Sequence, residues 1–193
     1  RYQEVTGVQT CALPIWLDRS PKWRPSYATQ RVAFREQLRL AAELGRPVTL
    51  HCVQAFGDAV ADLEACLSEP GGPGRLPPSV YFHSYSGSVE TARRLLALPG
   101  ATFFFGFSLA ANGRSPKTPA TIAALPAGSL LLESDGEMCA DLGARLRGSL
   151  GLVARARGWG AARAAAATAA NARAFFGAEI GRASCRERVS TSV

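Results

Sequence analysis

The chain contains only two histidines, and each follows a short apolar or β-branched run: His51 after Pro47-Val48-Thr49-Leu50 and His83 after Ser79-Val80-Tyr81-Phe82. Asp135 follows Leu130-Leu131-Leu132-Glu133-Ser134 in the same manner. Two imidazoles and a carboxylate suit a divalent zinc, manganese or magnesium ion. An ion of that kind makes hydroxide available near neutral pH by acidifying a bound water, and Asp135 could ligate the metal or take the proton. The separations, 32 residues and then 52, exceed the reach of a local loop. They fit side chains carried by successive strand-helix units. One histidine at a strand end is ordinarily satisfied by backbone; two with an aspartate at the same end of three strands point to a site.

Around these three stand groups with weaker signals. Ser84-Tyr85-Ser86-Gly87 follows His83 directly. The hydroxyls and N–H groups of Ser84 and Ser86 could hold a phosphate oxygen at the amino end of the next helix, while Ser86 or Ser88 could equally serve as a helix cap. Arg114 and Lys117 lie in the loop after a third apolar run and could meet substrate phosphates. Cys52 and Cys139 flank His51 and Asp135 and are conceivable thiolate ligands, although lone cysteines are usually small buried apolar groups. Glu133, two residues before Asp135, could support a ligand from behind or pair with an arginine.

The elements that must position these residues alternate. Ser26 to Gly45 has helical periodicity, with Phe34, Leu38, Ala41 and Leu44 on one face; Gly45 stops it and Pro47 prevents a restart. Val48 to Leu50 reads as a buried parallel strand. A helix over Gly57 to Leu67 follows, then a loop from Glu69 to Pro78, a strand from Ser79 to Phe82 and a helix from Ser88 to Leu98. Thr102 to Phe107 is a third strand, and its Gly106 signals a bulge or a close backbone approach. A short helix over Thr118 to Leu125 precedes a fourth strand, Ser129 to Leu132, and helices over Ala144 to Arg157 and Ala161 to Phe176 close the pattern. With a stub at Ile15 to Asp18, this is an α/β chain of four to five parallel strands: a partial, truncated TIM barrel, with a small open sheet as the competing architecture.

The ends read differently. Val5 to Ile15 (VTGVQTCALPI) and Glu179 to Val189 (EIGRASCRERV) look like in-frame translations of sequencing-library adapters. Residues 1–15 and 179–193 are therefore expected to be artefactual tails around one domain at 16–178. The whole chain carries 22 basic and 15 acidic residues. Residues 1–15 hold one of each sign, and 179–193 hold three arginines and two glutamates, which leaves 18 basic and 12 acidic residues and a net charge of +6. The excess is compatible with a phosphate-bearing partner and equally with a solvated arginine-rich surface. The three cysteines left between the tails, Cys52, Cys66 and Cys139, have no disulfide spacing, so a reducing, cytoplasmic setting is expected. No run approaches the roughly 20 apolar residues of a membrane span.

Four segments resemble the TatD family of metal-dependent hydrolases. PVTLHC is similar to the family's Pro-x-x-x-His strand, FHSYSGS to its His-x-Phe-Ser-Gly motif, LLLESDGEM to its Leu-Leu-x-Glu-Thr-Asp motif and TAANARAFFG to its carboxyl-terminal ending. The resemblance spans about Trp16 to Gly177. It implies a distorted TIM barrel with one or two divalent metals that cleaves phosphodiester bonds in DNA. On that mapping His51 and His83 are metal ligands, Asp135 is ligand and base, and the four strands are the family's last four. The chain also departs from the pattern. The family's opening His-x-His strand has no counterpart. The position of its glutamate ligand holds Pro14, with Leu17-Asp18 as the tail of that motif. The arginine usual after the first matched histidine is absent, since Val53 and Gln54 stand there; Ser134 replaces threonine, and Gly136 replaces proline. A non-catalytic interaction protein on the same barrel is the alternative function, and a hydrolase of esters or amides is a third.

Overall fold

The computed structural model of the chain describes residues 13–68, 72–136 and 141–177. Five parallel strands lie in the sequential order β1-β2-β3-β4-β5. They are β1 (Leu13–Asp18), β2 (Val48–Val53), β3 (Ser79–His83), β4 (Thr102–Phe107) and β5 (Leu130–Leu132). Between them run α1 (Tyr27–Glu43), α2 (Phe56–Ser68), α3 (Val89–Ala97), α4 (Leu109–Asn112) and α5 (Thr118–Ala124); α6 (Leu142–Arg157) and α7 (Ala161–Phe176) follow β5.

Strand order without reversal has a physical consequence. Parallel crossovers share one hand, so a sheet built always in the same direction puts its helices on one face. That is the arrangement of a barrel and not of a doubly wound sheet, and here the barrel is partial because the sheet does not close. The helix-covered face holds the main core. Leu17, Leu50, Phe82, Phe103, Phe105 and Phe107 from the strands meet Phe34 and Leu38 of α1, Val60 and Leu63 of α2, Leu95 of α3, Ile122 of α5 and Val153 of α6. Full burial of each such side chain contributes about 1.5–3 kcal/mol relative to exposure.

The opposite face is the inner wall of the partial barrel. It carries Trp16, Thr49, His51, Tyr81 and Phe104, and it is only partly covered. Phe175 of α7 folds over Tyr81, Phe104 and Leu131, with ring centroids 5.3 Å from Tyr81 and 5.5 Å from Phe104. Asn171 pins α7 in place by donating to the carbonyls of Ala127 and Leu130 at 2.8 and 2.9 Å. The carboxyl-terminal motif thus serves packing.

Local details correct several sequence expectations. The stub at Ile15 to Asp18 is a full six-residue strand that begins at Leu13, inside the segment read as adapter-derived. Its pairing with β2 runs from Leu13–Val48 to Asp18–Val53. The remainder of both expected tails lies outside the described residues. β2 does not end at His51 but continues to Val53. Leu44 is exposed and not part of the inward face of α1, because it sits after the last helical residue, where Gly45 at φ +62° turns the chain. The N–H groups of Gly45 and Arg46 then satisfy the carbonyls of Ala42 and Ala41. Ser88, not Ser86, caps α3 and accepts from the Thr91 N–H at 3.1 Å.

Candidate active site

The three strand-borne side chains converge through register. Trp16, His51 and His83 are successive partners across β1, β2 and β3, so parallel alternation puts all three on the inner face. The rings of His51 and His83 are 6.3 Å apart. Trp16 stacks on His51 at 3.8 Å with an interplanar angle of 16°. Asp135, three residues past β5, brings Oδ1 to 3.3 Å from His83 Nε2. The three expected metal-site residues therefore lie at one rim, at the carboxyl ends of the strands, where α/β barrels build their sites.

They fall into two groups rather than one cluster. His51 Nε2 faces Asp18 Oδ2 at 3.4 Å, and His83 faces Glu133 and Asp135. Among the described residues no three of His, Cys, Asp and Glu gather closely enough to hold one ion together.

Glu133 organises the His83 half. Its carboxylate is almost fully buried and accepts from Tyr81 Oη at 2.5 Å, from the Ser84 N–H at 2.6 Å and from Ser84 Oγ at 3.2 Å, and it is in hydrogen-bond contact with His83 Nδ1. Among the described residues it pairs with no arginine. With Nδ1–H directed at Glu133, the Nε2 lone pair of neutral His83 points to the Asp135 carboxylate. Two electron-rich groups in contact require a cation or a proton between them. The donor chemistry of His83 and Asp135, with His51 behind, therefore fits a divalent metal. In the absence of one, the Glu133 hydrogen bond is the main cause that holds the His83 pKa above its ordinary value; burial opposes it, and the charges of Glu133 and Asp135 add to it.

Burial alone would raise the Asp18 pKa, but hydrogen bonds from Ser20 and His51 outweigh it and hold this carboxyl below the ordinary value. Its Oδ1 accepts from the Ser20 N–H at 2.8 Å, which fixes the carboxylate toward His51. Asp18 and Tyr81 are partners that sequence reasoning missed. Asp18 was visible only as a motif remnant. Tyr81, two residues before His83 on the same strand, shares its face, and that alternation was the available signal.

Among the described residues three non-glycine positions adopt left-handed backbone angles, and all three belong to this rim: Gln54 at φ +53°, Ser84 at +45° and Asp135 at +45°. Each follows a strand. Such conformations cost about 1–3 kcal/mol and collect at functional sites.

The other expected residues are placed less centrally. Ser84 lends its N–H and hydroxyl to Glu133, so neither is free for a phosphate. Ser86 is exposed beside it, and Arg114 and Lys117 are exposed in the connection after β4. Cys52 points away from His51 into the helix-covered core, which removes it from the rim, and burial there pushes its thiol up to about 12. Cys139 lies outside the described residues. No described helix is long and apolar enough to cross a membrane.

Comparison with known proteins agrees with this fold. The chain is 29% identical over 148 residues to the Cut9-interacting protein scn1 of Schizosaccharomyces pombe, covering 65% of this chain and 44% of that protein. It is 36% identical over 110 residues to the 3'-5' ssDNA/RNA exonuclease TatD of Cronobacter sakazakii, covering 56% of this chain and 38% of that protein. The crystal structure of YjjV, a TatD homologue from Escherichia coli, superposes with a TM-score of 0.67 at 26% identity, over 84% of this chain and 61% of that one. The chain thus spans less than half the length of these two curated relatives. The family model described as TatD related DNase matches residues 2–177, and with the partial barrel and its rim of histidines and carboxylates the chain belongs to that family.

Proposed function

We propose that this rim belongs to a metal-dependent hydrolase that cleaves phosphodiester bonds in nucleic acid by water attack. The observation that carries the reading is His83, held at Nδ1 by buried Glu133 and facing Asp135 through Nε2. The names of the relatives, an exonuclease and metal-dependent hydrolases among them, support the substrate class and the requirement for a metal.

His83 and Asp135 would hold the metal, with His51 the next imidazole along the rim, and the metal would supply Lewis acidity and acidify a bound water. Glu133 keeps the His83 ring in one tautomer, with Nε2 free to ligate. Asp135 is exposed enough to meet solvent and stands on a strained backbone position, suited to take the proton of an attacking water. The open inner wall beside Trp16, Thr49, His51 and His83 forms a concavity of about 260 Å³ in which a nucleotide can lie.

Since no three potential ligands gather among the described residues, this chain is expected to bind metal weakly and to cleave DNA slowly or not at all. The test is manganese binding and single-stranded DNA hydrolysis by the 193-residue chain, beside His83→Ala and Asp135→Asn. Metal binding that is measurable in the native sequence and lost in both variants supports the reading. Fast, metal-dependent cleavage would overturn the expectation of impairment, and binding unchanged in both variants would overturn the site.

A second reading has one observation in its favour, the relative named as a Cut9-interacting protein. A barrel retained for protein association would keep its partner after His83→Ala and Asp135→Asn; a hydrolase would lose its turnover.

A further inference from the structure

We propose that Arg145 is the phosphate-anchoring residue of this rim, holding an oxygen of the substrate phosphate beside Asp135; this rests on the phosphodiesterase reading above. Arg145 lies near the start of α6, four residues after Asp141. Its side chain reaches back over the loop that follows β5. A Cβ built on Gly136 would meet Arg145 Cδ and Nε at 2.9 Å and Cζ at 3.2 Å. The guanidinium thus packs on the residue adjacent to Asp135, in room that a glycine leaves.

The helix is bolted to the same loop. Ser149 Oγ, one turn further along α6, lies 2.8 Å from the Glu133 carbonyl and 3.1 Å from the carbonyl of Arg145, and it accepts from the Leu109 N–H at 3.0 Å. Arg145 is therefore held in register with Glu133 and Asp135 rather than swinging on a free surface helix.

Its hydrogen bonding is incomplete. Arg145 Nε is buried and has no partner. Among the described residues no carboxylate pairs with this guanidinium. Other arginines contrast with it: Arg31 and Arg35 converge on Asp62, Arg19 meets Asp58, and Arg94 meets Glu64. Arg157 shares the buried, unpartnered Nε, yet its Nη1 donates to the carbonyls of Ile122, Ala123 and Leu125 and its guanidinium stacks on Trp159.

A desolvated guanidinium nitrogen without an acceptor is costly to maintain and calls for an explanation. The Nη nitrogens of half-buried Arg145 are not enclosed like Nε and have no acceptor among the described residues, so a phosphate can give this guanidinium the partner it lacks. It presents oxygens in a geometry that matches the guanidinium fork, and it pairs with a cation that a lysine could not replace at equal strength. A phosphate resting on Arg145 would lie next to the residue proposed to activate water. Arg114 and Lys117, the cations that the sequence nominated for this task, remain on an exposed loop.

The experiment measures binding of inorganic phosphate to the 193-residue chain by titration calorimetry, in the native sequence and in Arg145→Gln and Arg145→Lys, with manganese binding followed in parallel. The expected result is at least a tenfold loss of phosphate affinity in Arg145→Gln, a smaller loss in Arg145→Lys and manganese affinity within about twofold of the native value in both. Gly136→Ala, which displaces the guanidinium without removing its charge, should also weaken phosphate. Phosphate affinity unchanged in Arg145→Gln, or no phosphate binding by the native chain, overturns the assignment of Arg145. The hydrolase reading fails separately, when His83→Ala leaves manganese uptake unchanged.

Discussion

The Tyr81 hydroxyl donates to the Glu133 carboxylate at 2.5 Å through space that exists because position 106 is a glycine. A Cβ there would stand 2.5 Å from Tyr81 Oη and 2.6 Å from both Cδ and Oε1 of Glu133. β4 thus sacrifices a side chain in its interior so that β3 and the loop after β5 can meet across it. The result is a buried carboxylate with its donors in place, which in turn aims His83.

Gly106→Ala is accordingly expected to destabilise the fold by about 1–3 kcal/mol, since a methyl group there forces Tyr81 and Glu133 apart in a packed interior. Urea denaturation followed by circular dichroism measures it. A midpoint equal to that of the native chain would show that the contact has slack and that the glycine is incidental.

The imidazole of His83 makes stability depend on pH when divalent ions are removed. The Glu133 hydrogen bond holds its folded-state pKa above the ordinary 6.5. The protonated ring is therefore favoured in the folded state. Its contribution is complete below about pH 6.5 and is lost as pH rises through the higher folded value. Denaturation midpoints in EDTA should fall over that window, and Glu133→Gln should flatten the dependence. A midpoint that rises across the same window in the native chain would contradict this picture.

Cys52 neighbours a candidate ligand yet is chemically inert in the folded chain. Its thiol is in the core and is pushed up to about 12 by burial, so almost none is ionised near neutrality. Iodoacetamide at pH 8 should leave Cys52 unmodified until denaturant is added, as read by mass spectrometry. Rapid alkylation of the native protein would place it at the surface.

Much of this was legible in the sequence because strand burial is a local property. The runs ending near His51, His83 and Asp135 are apolar where the sheet meets its helices, and the alternation of parallel strands and helices follows from their lengths. β1 was legible only as a stub, since Leu13 and Pro14 have no pattern of their own; pairing with Val48 and Thr49 makes them a strand. The partners of the histidines were harder. Glu133 bonds Tyr81 across 52 residues, and Asp18 faces His51 across 33, so only the register of the assembled sheet selects them. Asp135 is not on the strand at all, and its left-handed backbone, not strand alternation, turns it toward His83.

Ser149 supplies the last prediction. It is fully buried, and its one hydroxyl serves the Leu109 N–H and the carbonyls of Glu133 and Arg145. Removing that hydroxyl leaves the Glu133 carbonyl without this partner in the interior, where an unsatisfied group costs about 1–3 kcal/mol, and takes from the part-buried Leu109 N–H its acceptor. Ser149→Ala should therefore destabilise the chain by more than a methyl-sized change of packing would. Hydrogen exchange should also accelerate at Leu109 before the sheet opens, because its N–H loses its acceptor. Ser149→Thr retains the hydroxyl and should preserve protection at Leu109 if the extra methyl is accommodated. Exchange at Leu109 that is equally slow in Ser149→Ala and the native chain would mean that α6 is fastened to the rim by apolar packing alone.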